Sequence, residues 1–250
     1  MTKLNYLSLF FLFSLTITFT SCKKDEDPPQ QTNVQVKFNF QHYVGEEMVD
    51  FNSIKYTNAF GNLFSVETLK YFISDIRFKK ADSTVILIDE EHYTDGMDES
   101  TLTFVPVTKI TGGEYTSISF IFGLNEEKNV NGRYPNAPES NMEWPLAMGP
   151  GYHYMKLEGK IDSSGVINNY QAHTGATMGN QNFIELTLPA SNINVTGNDM
   201  TVTIKMDINK WWENPNTFDL NMMTMVMGNQ QIQQKLHDNG MDVFSLKSIN

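Results

Sequence analysis

From residue 33 onward this chain alternates apolar and polar side chains, a pattern that fits sheet far better than helix. Val34, Val36, Phe38 and Phe40 alternate with Gln35, Lys37, Asn39 and Gln41. Met200, Val202, Ile204, Met206 and Ile208 alternate in the same way with Thr201, Thr203, Lys205 and Asp207. Successive side chains of a strand point to opposite faces, so each stretch has one face to bury. Further strands are expected over residues 71–78 and 84–89, joined by the turn Ala81-Asp82-Ser83, and over 115–123. Residues 152–161 should pair with 166–170 across Asp162-Ser163-Ser164-Gly165, and 183–188 should form another strand. Helix is scarce. The best candidate covers residues 230–238, with Asn239-Gly240 as its stop. The pattern predicts an all-β fold, an antiparallel β-sandwich or partly closed barrel with long loops and one short C-terminal helix.

The N-terminus reads as a secretory leader. Lys3 supplies a positive charge, and a short apolar stretch of LFFLF type follows and ends in Phe19-Thr20-Ser21 before Cys22. It is too short and too broken by Ser and Thr for a spanning helix, which needs about 20 apolar residues. Small residues ahead of a lone cysteine resemble a bacterial lipoprotein cleavage box. Cys22 would then be acylated and would hold the mature protein to outer-membrane lipid. The bland reading of Cys22 is a buried thiol. Lys23-Lys24-Asp25-Glu26-Asp27 follows, and resembles the signal that exports some Gram-negative lipoproteins to the cell surface; its bland reading is a solvated linker. The expected organisation is a signal peptide over 1–21, a lipidated Cys and flexible linker over 22–32, and one β domain over 33–250. The expected location is the outer membrane.

Cys22 is the only cysteine, so no disulfide can form within the chain. Removing residues 1–21 takes away Lys3 and no acid, which leaves 17 basic against 29 acidic side chains, a balance of −12. So acidic a chain disfavours nucleic acid as a partner.

Three of the five histidines draw interest as metal ligands. His42 continues the apolar parity of its strand and should point inward. His153 should share a face with Met155 and Leu157, opposite Tyr152, Tyr154, Lys156 and Glu158. His173, in Ala172-His173-Thr174-Gly175, should lie just past a strand in a turn tightened by Gly175. His92 and His237 sit beside acids and read as surface residues. Imidazole suits copper, and thioether suits its reduced form, with Met142 and Met155 as possible contacts. For each histidine alone the bland reading is a hydrogen-bonded core or loop residue. Met222-Met223-Thr224-Met225-Val226-Met227 would put Met223, Met225 and Met227 on one strand face, either as a thioether ladder or as adaptable core filling. No GxSxG elbow, HExxH, phosphate-cradling glycine loop or EF-hand loop is present, so an enzyme is not expected.

The stretch NMEWPLAMGPGYHYMKLEGK at 141–160, with His173-Thr174-Gly175, LKYFISDIRF at 69–78, YTSISFIFGLNEEKN at 115–129 and NGMDVFSL at 239–246, resembles the methanobactin-associated copper-binding protein (MbnP-like) family. The resemblance implies a β-rich envelope protein that holds copper, and it raises His42 and His173 as ligands more than His153. It also implies that Trp144 caps the site, or ligates copper after oxidation to kynurenine by a partner dihaem peroxidase. A copper transporter is a second implied partner. Leu146 and Met148 stand where a second tryptophan often forms a WxW pattern, a departure that leaves Trp144 as the local candidate. The bland reading of Trp144 is an aromatic lid. The rival reading of the whole chain is a surface β-sandwich lipoprotein that recognises a protein or glycan, with structural histidines.

Overall fold

The alternating stretches become the strands of two facing sheets. The computed structural model describes Met1 and residues 32–250, so the leader, Cys22 and most of the linker lie outside the described residues. The longer elements are β1 (Val36–Val44), β2 (Thr68–Lys80), β3 (Val85–Asp95), β4 (Gly113–Phe122), β5 (His153–Ser163), β6 (Val166–Gly175), β7 (Ile184–Val195), β8 (Met200–Asp207), α1 (Gln230–Gly240) and β9 (Phe244–Ile249). Among the described residues β7, β4, β2 and β5 lie side by side in an eight-stranded sheet, with β3 on β2 and β6 on β5. A five-stranded sheet runs β9, β8, β1 and then the short strand Glu47–Met48. The described residues hold no helix long and apolar enough to cross a membrane.

Burial follows the alternation closely. Val36, Phe38, Phe40, His42 and Val44 of β1 are buried, and the residues between them are partly or fully exposed. Met200, Val202, Ile204, Met206 and Ile208 are buried likewise. Aromatic rings join the two sheets: Phe38 lies 6.2 Å from Phe78, Phe40 6.4 Å from Tyr71, and Phe120 5.3 Å from Phe244. Edge-on and tilted ring contacts at such distances add to the apolar burial that holds a sandwich together.

The fold class is the one expected, with two departures in detail. β1 and β8 run parallel, Val36 opposite Met200 through to Tyr43 opposite Asp207. Parallel neighbours need a crossover rather than a hairpin, and most of the chain lies between these two strands. The hairpin between β5 and β6 closes on Ser164 and Gly165, both at positive φ, as a tight two-residue turn requires. α1 runs to Gly240, past the expected stop. Asn239 is fully buried and its Nδ2 donates to the Trp211 and Asn216 carbonyls. A Cβ on Gly240 would come 2.2 Å from Ile184 Cδ1, so this glycine serves close packing rather than a left-handed cap.

Candidate metal centre

His153 and His173 come together on the outer face of the larger sheet. They reach it by a route the alternation conceals. In the β5–β6 ladder Lys156 is opposite His173 and Met155 opposite Thr174, but His153 is opposite Gly175. The register slips by one residue at Tyr154, a β-bulge, and a bulge resets which face the preceding residue serves. His153 therefore does not share a face with Met155 and Leu157. Met155 sits in the core between the sheets, opposite Tyr71 of β2. It makes no thioether contact with the histidine pair. His173 also departs from expectation: it lies within β6, not in a turn beyond it.

The two imidazole rings are 5.0 Å apart at 84°. Each has one nitrogen tied to an acceptor. His153 Nδ1 donates to the Met142 carbonyl at 2.9 Å, and His173 Nε2 donates to Glu158 Oε1 at 2.6 Å. A carbonyl oxygen can only accept, which fixes the His153 proton on Nδ1 and leaves Nε2 as its lone pair. In the neutral His173 ring the same logic leaves Nδ1, which is buried with no hydrogen-bond partner. An orphaned buried nitrogen costs about 1–3 kcal/mol unless something fills its need. Burial, then the Lys156 charge, lower the His153 pKa from its ordinary 6.5 to about 3, so the ring is neutral at physiological pH. The His173 hydrogen bond is the largest cause holding the Glu158 carboxyl below its ordinary range.

Trp144 covers the pair, its ring 4.6 Å from that of His153 at 69°. The loop between β4 and β5 is shaped to hold it there. Trp144 N donates to the Gly151 carbonyl, and Glu143 bridges to Tyr152. Gly151, at φ +95°, lets Asn129 approach to within 2.0 Å of where a Cβ would stand. Asn129 Oδ1 then accepts from Tyr152 N, and its Nδ2 donates to Tyr154 Oη. Gly175 clears the space beneath the indole, since a Cβ there would lie 2.7 Å from Trp144 Cε3. Met142 is buried in an aromatic cluster with Phe72, Tyr152 and Tyr154, and meets the site through its carbonyl.

Gln233 of α1 completes the frame. Fully buried, it donates through Nε2 to the carbonyls of His173 and Val226. Neither Gln233 nor Glu158 was marked out as a site residue by the pattern of the chain. Only the strand register and the helix docking give them their roles.

His42 is not brought to this pair. It faces the core between the sheets, 3% exposed, with Nε2 2.9 Å from Tyr71 Oη. Tyr71 belongs to that same core, whereas His173 lies opposite Lys156 on the other face. Burial raises the Tyr71 pKa, so its hydroxyl keeps the proton and donates to His42, whose own pKa burial lowers to about 4. His92 is not a simple surface residue either: it stacks on Phe104 at 4.7 Å and bonds the Thr101 carbonyl. The Met222–Met227 run is loop rather than strand, with Met223 in the core and Met225 exposed. Among the described residues no three His, Cys, Asp or Glu side chains are grouped so as to hold a metal ion.

The depressed histidines set a pH dependence. In the unfolded chain His42 and His153 take protons below about 6.5, while the folded protein refuses them until about 4 and 3. Their contribution to stability is therefore present above pH 6.5 and is lost as pH falls towards 4. The urea midpoint is expected to be lower at pH 5 than at pH 7; an equal or higher midpoint at pH 5 would contradict the assignment.

No curated protein matches the chain. MbnP from Methylosinus trichosporium has a similar structure, with a TM-score of 0.58 over 87% of this chain and 98% of that one, at 13% sequence identity. At that identity the likeness carries the fold. The MbnP family model matches residues 33–229. That match spans both histidines, the indole lid and most of both sheets, and by it this chain belongs to the MbnP family.

Proposed function

We propose that this is an envelope protein that binds copper between His153 and His173, for acquisition, storage or handover rather than catalysis. One observation carries the reading. Two imidazoles meet at nearly right angles with their N–H groups already spent on Met142 and Glu158, which leaves each a lone-pair nitrogen, that of His173 buried without a partner. A carboxylate behind a histidine is the usual device for orienting and strengthening a metal ligand. Imidazole nitrogen donors suit Cu(I) better than hard cations. Trp144 caps the pair; its oxidation to kynurenine by a dihaem peroxidase partner would turn the indole against His153 into a source of a further nitrogen donor. Acylated Cys22 would anchor the protein to the outer membrane, and a copper transporter would be the receiver.

The rival, a recognition module for protein or glycan, has less support. The long loop over residues 129–148, which would carry recognition in that reading, turns its tryptophan, Trp144, into the protein at 4% exposure. The test is metal retention. The mature domain, residues 23–250, is loaded with Cu(I) under reducing conditions with Zn(II) as competitor, desalted, and assayed by ICP-MS. About one copper per chain, surviving zinc, is the expected result. A folded domain that keeps no copper, either as isolated or after Trp144 oxidation verified by intact mass, would overturn the reading.

A further inference from the structure

A cavity of about 500 Å³ opens beside His173, and its lining is unusual for this chain. Met148, Met225 and Met227 contribute to it, with Gln171 and His173, and none of its lining residues carries a carboxylate, an ammonium or a guanidinium group. The chain as a whole has 29 acidic side chains and 18 basic ones. A cavity that gathers thioethers and excludes both signs of charge is poorly suited to Ca²⁺, Mg²⁺ or an anion. It offers soft, uncharged donors instead.

Two further observations give the cavity a direction. Met225 is 79% exposed at the surface, while Met148 and Met227 are half-buried. An exposed methionine gains nothing from burial, so core filling does not account for it. At the inner end stands His173, 8% exposed, whose Nδ1 has no hydrogen-bond partner. The loop carrying Met225 and Met227 is fixed to the histidine strand: Gln233 bonds the Val226 and His173 carbonyls together, and Thr177 Oγ1 donates to the Met227 carbonyl.

We infer that Met148, Met225 and Met227 form a separate Cu(I) entry site, which captures the ion at the surface and passes it to His173. Transfer is ligand exchange. Copper enters and leaves as Cu(I), a thioether–copper bond breaks as the imidazole nitrogen–copper bond forms, and no electron or proton needs another carrier. A weak thioether site ahead of a tighter imidazole site lets the metal move inward without being trapped on the way. This inference rests on the copper reading of the histidine pair.

The probe is Ag(I), a soft ion of the same charge, titrated into mature protein labelled with ¹³C at the methionine methyls. The methyl signals of Met148, Met225 and Met227 are expected to shift, while that of core Met155 stays in place. The second measurement uses M148L/M225L/M227L, a swap of similar volume that a fold tolerates well. This variant should hold the same copper at equilibrium as the parent but take it from a Cu(I)–bicinchoninate complex about tenfold more slowly. Silent methyls, or an unchanged loading rate, in a protein whose histidines do take copper would overturn the entry site and leave the metal centre standing. A protein whose histidines take no copper would overturn both.

Discussion

Alanine at His153 or at His173 is expected to remove tight copper binding from a protein that still folds, while His42→Ala leaves copper binding unchanged. The two imidazoles supply the lone pairs, and neither has a nearby substitute, since the described residues offer no third His, Cys, Asp or Glu completing a group with them. Glu158→Gln is the finer test. It keeps an acceptor near His173 Nε2 but removes the charge that orients and polarises the ring, and such a change costs about 10–100-fold in metal affinity. His42→Ala acts elsewhere. It leaves the buried Tyr71 hydroxyl without its partner, at a cost of about 1–3 kcal/mol in stability. Competition against a Cu(I) chelator, with urea unfolding of each variant, separates the two kinds of effect. The assignment fails if His42→Ala abolishes copper binding, or if His173→Ala spares it.

How much of this was legible in the chain depends on the distance over which the deciding interaction acts. β1 and β8 could be read because alternation is local, and each strand has one face against the core and one largely outside. His42 pointed inward for that reason, and inward proved to mean the core hydrogen bond with Tyr71. His153 could not be placed, because the bulge at Tyr154 is a property of the pairing between β5 and β6, and no local letter marks it. Gly175 looked like a turn glycine; what it does is make room for an indole that arrives from a loop thirty-one residues earlier. The methionine run shows the opposite error. Its letters alternate, but Asp219 accepts from Asn221 N to open a short 3-10 turn, and Asn229 caps α1. The 3-10 turn takes in Met222, so the run does not begin as a strand.

Lys128→Ala is expected to be among the most damaging single changes outside the sheet cores, at about 3–5 kcal/mol. Asp75 is 3% exposed and sits at a bulge in β2 with φ +53°. Its carboxylate is satisfied by Lys128 Nζ at 2.5 Å and Asn125 Nδ2 at 2.7 Å. Lys128 Nζ also lies 2.6 Å from Asp89 Oδ1 and 3.8 Å from Glu91 Oε1, and Arg133 pairs with Glu91. Burial lowers the Lys128 pKa, but the hydrogen bonds to Asp75 and Asp89 outweigh it and the net shift is upward, so the ammonium is held charged. Removing it would leave a buried carboxylate facing other carboxylates. Lys128 and Asn125 belong to the same loop as Met142 and Trp144, so their loss should also loosen the lid over the histidines and weaken copper retention. The double variant D75N/K128M is the control. Asn tolerates the left-handed backbone at residue 75, and the pair then buries no charge, so much of the lost stability should return. Urea unfolding of the parent, D75N, K128M and D75N/K128M gives the coupling energy directly. A Lys128→Ala cost below about 1 kcal/mol would mean that the pair is worth no more than a surface ion pair and that the loop is held by its aromatic contacts instead.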